Sequence, residues 1–382
     1  MLGYGHQYID DSDIRAVVEV LKSDYLTQGP AVEQFEQEIC RITGAKYCIA
    51  VSNATAGLHI AVTALNLPEG SEGITTPNTF LSSSNCMVYN GVKPVFADID
   101  PKTYNIDPSE IEKHITEKTE LLIPVHFAGL PCDMEKISKI AKKNNLHIIE
   151  DAAHAIGSQY ADGSSYVGNC RYSDMTVFSF HPVKTITTGE GGAVTTNDEN
   201  LYKRLLMLRS HGTTKDPELL AANPGPWYYE MQILGFNYRM TDMQGALGYS
   251  QLQKLPFFKK RRREIVAKYN NAFVGMKYLK TPFEPANISS CFHLYVAQID
   301  FKALGKSRTQ VMQELREKGV GTQVHYIPVP IQPYYKEKFS YKNGDYPKAE
   351  AYYEKELSLP LYPGMSDADV DLVIDSIKEV IK

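Results

Sequence analysis

Between residues 47 and 196 short apolar runs alternate with segments of helical periodicity, and this alternation constrains the fold more than any other feature of the chain. Tyr47 to Val51 precedes the helical pattern Thr55 to Leu65; Pro94 to Ile99 precedes Pro108 to Ile115; Leu121 to Phe127 precedes Met134 to Lys143. The runs Leu146–Ile149, Met175–Phe180 and Ala193–Thr196 are continuously apolar or β-branched, as strands buried on both faces of a mostly parallel sheet must be. An α/β fold with helices packed on that sheet is therefore predicted. Ligands of such sheets sit where strands end and loops lead into helices, so polar residues just after a strand are the candidates for chemistry.

At 382 residues a single core has usually stopped growing, and one large domain with a smaller one is expected. The β/α rhythm gives way near Leu252 to Phe258 to a long basic helical segment, a strand-like stretch within Asn287 to Phe301 and a helix from Thr309 to Lys318. The boundary is placed there: residues 1–250 as the large α/β domain, residues 251–382 as a small α+β domain closed by a helix carrying Val370, Val373, Ile374, Ile377 and Val380. At the other end, Ile14, Val17, Val18 and Leu21 behind Asp10, Asp11 and Ser12 predict an amphipathic helix.

Charge and cysteine usage exclude several classes. Forty Lys and Arg against 45 Asp and Glu give −5, which disfavours nucleic-acid binding. The basic run Lys259–Arg263 reads as a solvated helix face. Six scattered cysteines form no C-x-x-C and fit a reducing, cytoplasmic setting. Neither a leader at Met1–His6 nor a membrane span is expected. No H-E-x-x-H points to a metal hydrolase, Gly189-Glu190-Gly191-Gly192 leads into a strand rather than opening a dinucleotide-binding helix, and Gly163–Gly168 is one residue too long for G-x-S-x-G.

Three strand ends hold unusual residues. After Met175–Phe180 comes Ser179-Phe180-His181-Pro182-Val183-Lys184, followed by a glycine-rich turn to Gly192. A lysine between a buried strand and such a turn can lose solvation, which favours its neutral amine and makes it a nucleophile for a carbonyl, although taken alone it fits an exposed loop lysine better. Glu150-Asp151-Ala152-Ala153-His154 places an acid at a strand end beside small residues, where it could hold a pyridine nitrogen protonated or merely cap a helix. Ser52-Asn53-Ala54-Thr55-Ala56 joins a strand to a helix N-terminus, a geometry that binds phosphate or simply caps. Together the three offer a phosphate cradle, an acid for a ring nitrogen and an amine for an aldehyde. Phe80 follows a further short strand and could stack on a ring, although an aromatic there is more often plain core.

With Tyr25–Pro30 and Gly235-Phe236-Asn237-Tyr238-Arg239-Met240, these segments resemble the DegT/DnrJ/EryC1/StrS family of fold-type I, pyridoxal-phosphate-dependent sugar aminotransferases over essentially the whole chain. The resemblance implies a mostly parallel seven-stranded sheet, Lys184 as the Schiff-base lysine that moves the proton, and Asp151 on the pyridine nitrogen. It further implies His154 on the ring hydroxyl, Thr55, Ala56 and Ser179 on the phosphate, Phe80 stacked on the ring, and Asn237 reaching the phosphate from a second subunit of a homodimer. Substrate contacts would come from Tyr4, Tyr25, Leu26, Thr27, Gln28, Ser179, Asn237, His325, Tyr326, Ile327 and Pro328. The bare residues of the last segment suit a stiff structural turn equally well. Family members that act as dehydratases carry His at the Schiff-base position, so Lys184 favours transamination. The Ser179–Asn197 spelling looks most like the branch that makes UDP-4-amino-4,6-dideoxy-N-acetyl-β-L-altrosamine, with L-glutamate as amino donor and a UDP-linked 4-keto-6-deoxy-N-acetylhexosamine as acceptor. A C3 or C4 aminotransferase for another nucleotide-linked keto sugar, or a non-catalytic binder of the same ligands, are the alternatives.

Overall fold

The computed structural model describes residues 1–382. Its centre is a seven-stranded sheet of β1 (Tyr47–Val51), β2 (Glu72–Thr75), β3 (Lys93–Phe96), β4 (Thr119–Ile123), β5 (His147–Asp151), β6 (Met175–Ser179) and β7 (Gly192–Thr196), in the order β1-β7-β6-β5-β4-β2-β3. Pairings from β3 to β6 are parallel, and only β7 runs against its neighbours β1 and β6. The reversal of β7 brings the residues after β6 and before β7 into one loop at the same sheet end.

Alternate residues of each strand feed two cores. Cys48, Ala50, Leu122, Ile148 and Phe178 pack on one side with Phe35 and Ile39; Ile49, Val51, Leu121, Ile149 and Val177 pack on the other with Leu58 and Ile60. The covering helices include α1 (Asp11–Lys22), α2 (Pro30–Thr43), α3 (Ala54–Leu65), α4 (Ser82–Tyr89), α5 (Pro108–His114), α6 (Met134–Asn144), α7 (Glu199–Arg209) and α8 (Asp242–Gln253). A Cβ on Gly57 would lie 3.0 Å from Val177 Cγ1, so α3 approaches the sheet closely only because that position is glycine.

The long helix α9 (Leu255–Phe273) carries Leu255 and Phe258 into the first core and Ile265, Val266, Tyr269 and Phe273 into a C-terminal one. The latter is built on a three-stranded antiparallel sheet of Leu279–Lys280, Tyr295–Ile299 and Glu356–Leu359, packed by helices Arg308–Glu317 and Asp367–Val380. The N-terminal residues join this half: Leu2 N donates to Gly319 O, and Tyr4 O accepts from Leu361 N.

The amphipathic helix expected behind Asp10–Ser12 is present as α1, capped by Asp10; its Ile14, Val18 and Leu21 face outward, while Asp13 is fully buried against Ser250, Gln251 and Lys254. One local expectation is corrected: the basic run of α9 is not wholly solvated. Arg262 is buried and donates to the carbonyls of Phe292, His293 and Leu361, Arg263 pairs with Glu284, and Arg261 pairs with Asp367. Burial lowers the Arg262 guanidinium to about 10.

Candidate active site

The ends of β1, β5 and β6 converge on a cavity of about 760 Å³ between the sheet and the C-terminal half, lined by Asn53, Thr55, Phe80, Asp151, His154, Ser179 and Lys184 among others. Hollows of about 580 and 550 Å³ elsewhere on the surface contain none of the expected residues.

At the end of β1, Asn53 caps α3 by accepting the Ala56 N–H at 2.8 Å, which leaves the first-turn N–H groups at Ala54 and Thr55 beside the cavity. Gly192 lies against this turn. A Cβ there would fall 2.6 Å from Ala54 N, so glycine keeps the helix end open. Free N–H groups at a helix N-terminus suit a phosphate.

Asp151 terminates β5 and is buried. Ser83 Oγ, from α4, donates to its Oδ2 at 2.6 Å, and Ala153 N donates to Oδ1 at 3.1 Å. Ser83 Oγ also lies 2.6 Å from Thr79 Oγ1. Both carboxylate oxygens are thus held, and the anion is presented to the cavity. Its neighbour Glu150 points to the opposite face of the strand, where His126, Tyr160 and Ser173 satisfy it. Burial raises the Glu150 carboxyl, but His126, Ser173 and Tyr160 together outweigh it and the group stays below its ordinary value.

The segment after β6 folds back on itself: Phe180 N donates to Gly191 O, Thr188 N to Phe180 O, and Lys184 N to His181 O. This loop sets the Lys184 amine in the cavity. Burial lowers its pKa to about 8 against the opposing attraction of Asp151, so a usable fraction is neutral near neutral pH. His154 accepts the Ala128 N–H at Nδ1, which leaves Nε2 to donate to the Tyr326 hydroxyl at 3.2 Å. Burial, with Lys184 and His325 nearby, keeps His154 neutral, well below its usual pKa. Tyr4, Gln323, His325 and Tyr326 close the far wall.

The structure brings Thr55, Phe80, Asp151, His154, Ser179, Lys184, Tyr4, His325 and Tyr326 together on one cavity. Ala56 lines an adjoining hollow of about 510 Å³ with His59, Phe236 and Tyr238. Tyr25, Leu26, Thr27, Gln28, Asn237, Ile327 and Pro328 do not line the cavity of this chain; Asn237 is exposed, and Thr27 bridges to Thr241. Sequence reasoning passed over Ser83, Glu190 and His293. His293 is buried in the cavity wall, its ring 4.4 Å from that of His154, and its Nδ1 has no hydrogen-bond partner.

A partly desolvated amine, a doubly held carboxylate and an open helix N-terminus around one cavity fit an aldehyde, a pyridine nitrogen and a phosphate on a single molecule. The sequence model of the DegT/DnrJ/EryC1/StrS aminotransferase family matches residues 7–378. The chain belongs to this family. Family members depend on pyridoxal phosphate, and the fold is that of the fold-type I transferases. The chain is 42% identical over 382 residues to the Bacillus subtilis spore coat polysaccharide biosynthesis protein SpsC, covering 100% of this chain and 97% of that one. Helicobacter pylori PseC, an aminotransferase of pseudaminic acid biosynthesis, superposes with a TM-score of 0.93 at 32% identity, covering 100% of this chain and 99% of that one. The PLP form of Spr1654 from Streptococcus pneumoniae gives a TM-score of 0.90 at 30% identity over 99% and 98% of the two chains.

Proposed function

We propose that this protein moves the amino group of L-glutamate to C4 of a UDP-linked 4-keto-6-deoxy-N-acetylhexosamine, giving UDP-4-amino-4,6-dideoxy-N-acetyl-β-L-altrosamine. The observation that carries the aminotransferase part of the reading is the Lys184 amine in the same cavity as the held Asp151 carboxylate, its pKa lowered by burial to about 8; the full-length similarity to PseC supports the choice of acceptor. Bound pyridoxal phosphate supplies the aldehyde that carries the amino group and the ring that takes up electrons from the substrate carbon. Lys184 would attach the cofactor and, once free and neutral, would take the substrate proton and return it. Asp151, oriented by Ser83 and the Ala153 N–H, would hold the ring nitrogen protonated. Thr55, Ala56 and Ser179 would hold the phosphate, His154 the ring hydroxyl and Phe80 the ring face, while Tyr4, His325 and Tyr326 would meet the sugar.

The assembly we infer is a homodimer with shared sites. Outward-facing Ile14, Val18, Leu21, Tyr25 and Leu26 support it, as does Asn237, which lies outside its own cavity and would serve the partner's. Tyr25–Gln28 would reach substrate in the same assembly. We place the division between the two domains at residues 250 and 251 and the protein in the cytoplasm. No helix is long and apolar enough to cross a membrane.

Full-length similarity to SpsC at 42% identity, above the 32% with PseC, favours a second reading in which the acceptor is a different nucleotide-linked keto sugar destined for a surface polysaccharide. Incubation with glutamate and a panel of UDP- and dTDP-linked 4-keto-6-deoxy sugars, with products analysed by mass and NMR, separates the two. Amination of the UDP-N-acetyl substrate at C4 is expected, and turnover of only another member of the panel would overturn the first reading.

A further inference from the structure

Glu356 is a carboxyl group with no exposure, on a strand of the C-terminal sheet, and nothing described so far uses it. It forms no ion pair: its partners are Ser358 Oγ at 2.5 Å from Oε1 and the His325 N–H at 2.9 Å from Oε2. Ser358 Oγ in turn lies 2.8 Å from His325 Nδ1. The His325 ring is buried, stands 5.2 Å from the Tyr4 ring, and lines the cavity that holds Lys184. Its Nε2 makes no hydrogen bond within the chain, which leaves it as the cavity end of a continuous line from Glu356 through Ser358 to His325.

We propose that Glu356, acting through Ser358, sets which nitrogen of His325 carries the proton and thereby makes Nε2 a proton donor to a substrate oxygen in the cavity. With Glu356 neutral, its O–H donates to Ser358 Oγ, the Ser358 O–H donates to Nδ1, and the His325 proton sits on Nε2. With Glu356 ionised, Ser358 donates to the carboxylate, Nδ1 donates to Ser358 and Nε2 is a bare acceptor. One step connects the two. As Nε2–H passes to a substrate oxygen, the Ser358 proton moves to Nδ1 and the Glu356 proton to Ser358 Oγ, so three bonds to hydrogen break, three form, and the negative charge rests on Glu356. The keto oxygen of the acceptor leaves as water and requires protons, which is where such a donor would serve; this oxygen rests on the keto-sugar reading, whereas the tautomer relay does not.

The surroundings fit. Around Glu356 stand Arg308, whose attraction lowers the carboxyl, and the Tyr352 and Tyr326 phenols; Gln298 faces it across the sheet. Burial dominates and raises the carboxyl to about 8. Around His325 stand Lys184, Tyr4, His154 and His293, and burial with the Lys184 charge lowers the imidazole to about 3, so it stays neutral and changes tautomer rather than charge. Glu356 and Ser358 are positioning residues, and His325 makes the contact.

The test uses the full-length holoenzyme. In ¹⁵N-histidine spectra, with His325 assigned by His325→Gln, the wild-type ring is expected to change from Nε2–H to Nδ1–H between roughly pH 6 and pH 10. Glu356→Gln and Ser358→Ala are expected to abolish the change, the first because an amide cannot ionise, the second because the link is cut; thermal melts check folding, and either variant alone decides. In single-turnover amination of the keto sugar, the wild-type rate should rise as Lys184 loses its proton and then fall about tenfold per pH unit above about 8. Both variants should lose the falling limb. An unchanging wild-type tautomer, or variants that keep a falling limb at reduced height, overturns the proposal. Failure of the wild type to aminate any sugar would refute the substrate reading alone, since the tautomer titration needs no substrate.

Discussion

Ser83→Ala isolates the part of the site that holds Asp151. The hydroxyl gives one of only two hydrogen bonds to this carboxylate, at 2.6 Å, and the other, from Ala153 N, is longer at 3.1 Å. A hydrogen bond to a charged group contributes about 1.5–3 kcal/mol. If it is expressed in the transition state, where the ring nitrogen must stay protonated against Asp151, each 1.36 kcal/mol costs a factor of about ten, so the rate should fall by roughly 10–100-fold. The assay is stopped-flow absorbance of the half-reaction with glutamate at saturating pyridoxal phosphate, alongside a thermal melt. A rate within about twofold of wild type in a folded, cofactor-saturated variant would show that Ser83 does not tune Asp151 and that the account of this carboxylate is wrong.

Gly192→Ala should weaken pyridoxal phosphate binding by about tenfold or more in equilibrium dialysis, because the new Cβ would lie 2.6 Å from Ala54 N and displace the first turn of α3; unchanged affinity would remove that turn from the phosphate site. Arg262→Met should cost about 2–4 kcal/mol in denaturant unfolding, since three buried carbonyls lose their donor, and a loss below about 1 kcal/mol would contradict a structural role for this buried guanidinium.

The parts of the site that were legible in the sequence lie within a few residues of a strand end. Lys184, Asp151 and Thr55 follow apolar runs that could only be buried strands, and the sheet order then brings those ends together. Ser83, His293 and the Glu356–Ser358 pair were not legible, because each matters through a partner 33 to 139 positions away or more simply across the fold: Ser83 on Asp151, His293 beside His154, Ser358 on His325. The helical periodicity of α1 was legible, but the anchoring of that helix by buried Asp13 was not, because its partners lie more than 230 positions away. The charge run of α9 misled, since it concealed one arginine turned into the core. In both helices a specific polar network overrides the average preference of a residue type.

The central claim is that Lys184 carries the cofactor and its chemistry, and an absorbance spectrum tests it most directly. Wild-type protein loaded with pyridoxal phosphate should show a band near ~420 nm, as expected of a lysine-bound cofactor, that moves to ~330 nm on addition of glutamate. Lys184→Ala should show no such conversion. If the loaded wild type gives neither the band nor the shift, or if Lys184→Ala converts as the wild type does, the assignment of Lys184 fails.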